Sequence, residues 1–217
     1  MSDVNSPARN GLFIVFDGLD GSGKTTQLRL LKERLESEGH KVVITAEPTD
    51  SAVGRQLREA LRGDIAPTAA QLSTLFLLDR IGHNVAPVNG IRALLDEGYT
   101  VLCDRYYYSS MAYQGFDTSF DWVAESNLNC PDILRPDGCI IFDLPAEVCM
   151  RRIEDGRDQK EIYETVSKQD ELRRRFAYIA SYIKERGGET IITVNADGTV
   201  EDVARLIYEA YLKIKNK

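Results

Sequence analysis

The sequence predicts a three-layer α/β fold, a five-stranded parallel sheet flanked by helices on both faces. Short apolar runs alternate with stretches of helical periodicity along the whole chain. Ile140-Ile141-Phe142 and Ile191-Ile192 are apolar without alternation, as strands buried on both faces should be. Glycines stand where the periodic stretches end. At 217 residues the chain can build one large core, and two independent domains are not expected.

Residues 12–16 read as the first strand, and Leu28, Leu31 and Leu35 then give a helix over 25–38 that Gly39 stops. A strand follows at 41–46, and helices at 52–61, 68–84 and 88–97, the last ending at Gly98. Strands at 99–103 and 138–142 come next, with helices over 147–153 and 171–185. The last strand is 190–194 and the last helix 200–213. Residues 1–10 are polar and read as a disordered leader, so 11–217 form a single domain. Ligands on such sheets bind beyond the carboxyl ends of the strands, so the residues just after each strand matter most for function.

Composition narrows the classes. A formal net charge of −7 makes the surface as a whole repel nucleic acid. No apolar run reaches the roughly 18 residues of a membrane span. The amino-terminal stretch has neither a signal-peptide core nor an Arg-rich transit pattern. The expectation is a cytoplasmic protein with no nucleic-acid or membrane partner. Cys103, Cys130, Cys139 and Cys149 show no CxxC spacing and read as buried thiols.

The chemistry starts directly after the first strand. Gly18-Leu19-Asp20-Gly21-Ser22-Gly23-Lys24-Thr25 fits G-x-x-x-x-G-K-[ST] at every fixed position. Gly18, Gly21, Ser22 and Gly23 let backbone N–H groups turn around a phosphate, and the helix that runs on through Thr26 adds its dipole. Lys24 supplies a point charge for the terminal phosphates, and the Thr25 hydroxyl can ligate Mg²⁺. The motif sits between a strand and a helix, as its mechanism requires, and predicts a P-loop for ATP. The N-K-x-D sequence with which a GTP switch reads guanine is absent.

A phosphotransferase also needs an acceptor pocket and a basic lid that excludes water. The third strand ends in Asp104-Arg105-Tyr106, where an arginine can grip an acceptor phosphate and Asp104 can face the metal. Arg151, Arg152, Arg157 and Lys160 lie in a polar stretch that reads as a lid at about 151–165, supplying cations beyond Lys24.

These residues carry a family resemblance. The segment from Phe16 to Gln27, then Glu47-Pro48-Thr49, Leu75-Phe76 with Arg80, Asp104-Arg105-Tyr106 with Ser109, Ala112-Tyr113-Gln114-Gly115, Asp143-Leu144-Pro145 and finally Lys160-Glu161-Ile162-Tyr163-Glu164 occur in the order found in thymidylate kinases. The chain resembles that family over most of its length. The resemblance implies a nucleoside monophosphate kinase-like P-loop fold, ATP and Mg²⁺ as cofactors, dTMP as acceptor and a homodimer. It implies that Asp20 contacts the acceptor sugar, Phe76 stacks on the base, Arg80 bonds the base edge and Arg105 holds the dTMP phosphate. Tyr113 would pack by the sugar and disfavour a 2′-hydroxyl. Glu47, Pro48, Ser110 and Gln114 would line the acceptor pocket. Ala196 and Asp197, after the last strand, would border the adenine. Phe76 and Arg80, one helical turn apart, share a face.

Some members of the family carry an arginine directly after the P-loop aspartate, where this chain has Gly21. That resembles the type in which lid cations supply the charge, with Arg157 first and Arg152 and Lys160 behind it. Many relatives also have arginine before the Glu-Pro pair, where this chain has Ala46; Arg55 or Arg58 is placed to compensate. Tyr107 and Tyr108 are assigned to packing. The expected reaction is in-line transfer of the ATP γ-phosphoryl group to dTMP. The alternatives are a deoxynucleoside kinase, a kinase for another pyrimidine monophosphate, and a non-catalytic nucleotide-binding protein.

Overall fold

The computed structural model describes residues 10–156 and 165–217. Residues 1–9 of the expected leader lie outside them, as do residues 157–164 of the expected lid, with Arg157 and Lys160. Five strands, β1 (Phe13–Gly18), β2 (Val42–Ala46), β3 (Thr100–Asp104), β4 (Gly138–Asp143) and β5 (Thr190–Asn195), form one parallel sheet in the order β2-β3-β1-β4-β5. Every residue of β1 is buried, whereas most positions of the edge strands β2 and β5 are half-buried or exposed. β1 lies between β3 and β4, from which the chain winds outward in opposite directions. Its carboxyl end therefore opens on the crevice where such sheets bind ligands.

The helices are α1 (Lys24–Ser37), α2 (Ala52–Arg62), α3 (Ala69–Val85), α4 (Ile91–Asp96), α5 (Tyr107–Asp117), α6 (Phe120–Leu128), α7 (Ala146–Gly156), α8 (Val166–Arg186) and α9 (Val200–Lys215). The predicted strands and helices all form, with three differences. Helix α4 starts at Ile91 rather than Val88, because Asn89 takes a left-handed φ of 60° and the chain turns there. Helix α8 starts five residues before the predicted Glu171, where the Thr165 hydroxyl caps the Lys168 N–H; its first turn is polar and gives no apolar period. Helices α5 and α6 are additional. Tyr107, Tyr108, Ser110, Met111, Ala112, Tyr113, Gln114 and Gly115 are consecutive or nearly so, and all are buried, so α5 shows no amphipathic stripe.

A main core packs both faces of the sheet, and a small satellite core of Leu57, Ala60 and Leu72 joins α2 to α3, with Phe76 against it. Capping fixes this wing. The Ser51 side chain accepts from the Gly54 N–H at 2.9 Å, and Thr68 with Gln71 forms a reciprocal box at the start of α3.

The three consecutive tyrosines are buried, with Tyr107 and Tyr108 ring centroids 4.5 Å apart. The Tyr108 hydroxyl donates to Glu189, whose other oxygen accepts from Arg135 Nη1 at 3.2 Å. Burial pushes the Glu189 carboxyl up, and the tyrosine and arginine donors pull it back only in part. A carboxyl raised in the folded state stabilises the fold below its unfolded pKa of about 4.3 and loses that contribution as pH rises through the folded value. Glu189→Gln removes this dependence. Urea unfolding should show the native protein losing stability relative to the variant as pH rises above about 4. A difference that stays constant with pH refutes the assignment.

Candidate active site

The phosphate loop follows β1 and is shaped by its glycines. Gly18, Gly21 and Gly23 have φ of 135°, 73° and 93°. A Cβ on Gly18 would lie 2.7 Å from the Phe142 carbonyl oxygen, and one on Gly21 would lie 2.5 Å from that of Cys149. The loop is thus pressed against β4 on one side and the backbone of α7 on the other. Burial pushes the Cys149 thiol there up to about 11.

Lys24 is buried and turned into the loop, where its ammonium donates to Leu19 O at 2.7 Å, Gly18 O at 3.3 Å and Ser22 Oγ at 3.4 Å. Burial, with Arg105 nearby, lowers its pKa, while Asp104, Asp20 and Asp17 counter the shift. Thr25 Oγ1 donates to Asp104 Oδ2 at 3.3 Å. Asp104 Oδ1 is buried with no hydrogen-bond partner among the described residues. A hydroxyl beside a carboxylate with an unspent oxygen is a donor set that suits a hard cation. Among the described residues no cluster of three or more His, Cys, Asp or Glu could hold a metal, so these two would share it with phosphate oxygens.

Asp17 ties the loop to the turn after β3. It accepts from Gly18 N at 2.9 Å, Tyr106 N at 3.3 Å, Ser109 N at 3.0 Å and Ser109 Oγ at 2.7 Å. Burial raises its carboxyl, against the pull of Arg105, Ser109 and Gly18. The sequence motif contained Asp17 without a role for it. Its position as the last charged residue of an otherwise apolar strand was the available signal.

Arg105 takes a left-handed φ of 66°, which turns its side chain back over the loop. Its Nη2 meets Asp20 Oδ1 at 2.6 Å, and its Nη1 donates to Ser109 Oγ at 2.8 Å and Gly18 O at 3.3 Å. Burial alone would lower the Arg105 pKa, but Asp20, Tyr113 and Asp17 hold it well above its usual value. The Tyr113 hydroxyl donates to Asp20 Oδ2 at 3.3 Å, and burial raises its own pKa.

Phe76, Arg80, Tyr113 and Gln114 converge with Asp20, Glu47, Pro48, Arg105 and Ser109 around a cavity of about 210 Å³. Ser110 lies behind this wall, where its hydroxyl accepts from Arg80 Nη1 at 3.2 Å. The Glu47 carboxylate is spent on Arg80, at 2.8 Å from Nε and 2.7 Å from Nη2, and on His83 at 3.0 Å. Asn127 of α6 accepts from Arg80 Nη1 at 2.6 Å. Arg58 also reaches this wall, braced by Pro48 O at 2.8 Å and Asp50 at 2.8 Å, whereas Arg55 bonds the Asp50 carbonyl away from it.

Asp20, Glu47, Pro48 and Arg105 line a second cavity of about 550 Å³ as well, formed with Gly21, Ser22, Gly23, Lys24, Thr25, Thr26, Ala46, Asp104 and Arg152. Gly18 supports it from beneath through its carbonyl. Ser22, Gly23, Thr26 and Arg152 continue into a third cavity of about 250 Å³ with Gln27, Ala196, Gly198, Thr199, Val200 and Val203. Asp197 sits on the same loop with its side chain outward. Arg152 is exposed on α7 and reaches over the loop, where it lines the second and third cavities.

A phosphate loop that opens at each end on a base-sized cleft can bring two nucleotides together, which defines a P-loop nucleotide kinase. The family model for thymidylate kinase matches residues 16–207. A Pyrococcus horikoshii protein described as "probable thymidylate kinase" is 37% identical over 201 residues, covering 89% of this chain and 92% of its own. Thymidylate kinases of Leifsonia xyli and a Sulfurihydrogenibium species are 38% and 34% identical, covering 90% and 88% of this chain and 92% and 91% of their own. The chain belongs to the thymidylate kinase family and is an enzyme of that kind.

Proposed function

We propose that the enzyme transfers the γ-phosphoryl group of ATP to dTMP, giving dTDP and ADP. The observation that carries this reading is the shared seam. Asp20 and Arg105 belong at once to the base-sized cleft and to the phosphate cavity, so a mononucleotide in the cleft would present its phosphate to Arg105 and to the loop. A phosphate is already a competent nucleophile, and transfer needs positioning and charge neutralisation rather than a strong base. Lys24, Arg105 and Arg152 supply the cations, with Arg157 and Lys160 proposed to add to them from the lid. Thr25 and Asp104 would hold Mg²⁺, which supplies further charge neutralisation on the phosphates.

Arg80 supports a base that carries a carbonyl. Four of its five N–H groups are taken by Glu47, Ser110 and Asn127, which leaves one Nη2 hydrogen among the described contacts. Thymine O4 accepts from such a donor, while the amino group of cytosine meets it with a second donor. Phe76 stacks on the base, with Pro48 and Gln114 shaping the pocket and Ser110 bracing Arg80 from behind. Tyr113 stands beside Asp20 where a sugar would lie. Ala196 and Asp197 border the adenine, and Arg58 takes the place that Ala46 leaves.

A panel of mononucleotides and thymidine, assayed for ADP formation with and without EDTA, tests the reading. Turnover is expected with dTMP well above dUMP, CMP and thymidine, and EDTA should abolish it. Turnover with thymidine at or above dTMP would make the chain a nucleoside kinase, and ATP binding without acceptor-dependent turnover would make it a sensor.

We also propose a homodimer in the cytoplasm. Leu78 and Val85, seven residues apart on the outer face of α3, are 52% and 42% exposed. A second copy covering this stripe would bury it. Sedimentation should give a dimer, and Leu78→Arg a monomer. No described helix is long and apolar enough to cross a membrane.

A further inference from the structure

The base-facing arginine is held by a relay that runs back to the sheet edge. Glu47, just beyond β2, accepts from Arg80 through Oε2 and from His83 Nδ1 through Oε1 at 3.0 Å. His83 Nε2 lies 2.7 Å from Thr45 Oγ1 on β2. The Arg80, Glu47 and His83 side chains are 1%, 2% and 6% exposed, so water does not substitute for these partners. A carboxylate that accepts from Arg80 can only accept from the imidazole, so Nδ1 carries the ring proton. In the neutral ring Nε2 then accepts from the Thr45 hydroxyl.

We infer that His83 is a positioning residue for base selection: anchored on Thr45, it fixes the Glu47 carboxylate, which fixes the plane of the Arg80 guanidinium. That plane decides where the Nη2 hydrogen left uncommitted among the described residues points. His83 does not line the base cleft, so its effect on the acceptor passes through Glu47 and Arg80. A free carboxylate at Glu47 could swing within its rotamers. Arg80 would then offer its donor over a range of directions, and an acceptor lacking the matching carbonyl would be rejected less sharply. The role rests on the dTMP reading above.

Two substitutions separate the two ends of the ring. In His83→Asn the amide nitrogen falls near the Nδ1 position and keeps the bond to Glu47. In His83→Gln the longer amide falls near Nε2, keeps Thr45 and loses Glu47. Steady-state kinetics should show the KM for dTMP within about twofold of the parent in His83→Asn and raised roughly tenfold in His83→Gln, with the KM for ATP unchanged in both. The dCMP-to-dTMP turnover ratio should rise in His83→Gln only. Equal shifts in the two variants, or a parallel shift in the ATP KM, overturn the inference, because a merely structural histidine would act that way. Where His83→Gln fails to fold, Thr45→Val removes the outer anchor alone and keeps the bond to Glu47, as His83→Asn does. It should raise the dTMP KM by no more than about twofold and leave ATP unaffected, and a rise of roughly tenfold is a refutation. Turnover of dTMP by the unaltered enzyme tests the function itself. Should another mononucleotide prove to be the acceptor, the same ratios are read with it.

Discussion

Lys24→Ala is expected to lower kcat about 10³-fold and leave dTMP binding near its starting value. The ammonium lies under the phosphate loop, bonded to two loop carbonyls and the Ser22 hydroxyl, at a point lined by the phosphate cavity and away from the acceptor base. These bonds hold the charge in place before a nucleotide arrives, so little reorganisation is needed at transfer. Burial makes the charge effective, because its field is poorly screened. Rapid-quench turnover with equilibrium dTMP binding checks this. A fall in dTMP affinity as large as the fall in kcat would show that Lys24 serves the acceptor end instead.

Arg105→Ala is expected to weaken dTMP binding on the order of 100-fold while thymidine binding changes little. A forked pair of charge-assisted hydrogen bonds to a phosphate is worth about 3 kcal/mol, and thymidine has no phosphate to lose. The substitution also leaves the Asp20 and Asp17 carboxylates without the guanidinium that now lies 2.6 and 3.8 Å from them. Asp20, which lines both cavities, would then face the incoming dianion without that counter-charge and add to the loss. Calorimetric titration with both ligands reads the difference directly. Equal weakening of dTMP and thymidine would mean that Arg105 holds the sugar or the fold rather than the phosphate.

Much of this site is legible in the sequence because its residues follow strands. Gly18 to Thr25 follow β1, Glu47 and Pro48 follow β2, Arg105 follows β3 and Ala196 follows β5, so the order of elements alone gathers them at one edge. Phe76 and Arg80 are legible through helical spacing. What stays hidden is whatever depends on depth rather than order. Ser109 and Ser110 are neighbours, yet only Ser109 reaches the cleft, and which of the two does so is set by the direction in which α5 leaves Tyr106. Asn127 is invisible because α6 has no pattern that announces it, and Asp17 because its partners are backbone N–H groups of a turn formed by distant sequence. His83 reads as one more polar residue on α3 until β2 is placed beside it. Helix α5 is illegible for the opposite reason: an element buried all round carries no contrast between its faces.

The contact between Gly21 and α7 also bears on how such an enzyme can change. A side chain at residue 21 would have to displace the carbonyl of Cys149 and the side chain of Ile153, which lie 2.5 and 3.0 Å from where its Cβ would be. The arginine that other members carry at this position is therefore not one codon away in any useful sense. The exchange becomes tolerable only after α7 has backed off, and α7 is the helix that carries Arg152. The two ways of placing charge at the transferred phosphate are thus alternatives separated by a shift of backbone. A lineage holding one reaches the other only through coupled changes in which the first step alone loses ground.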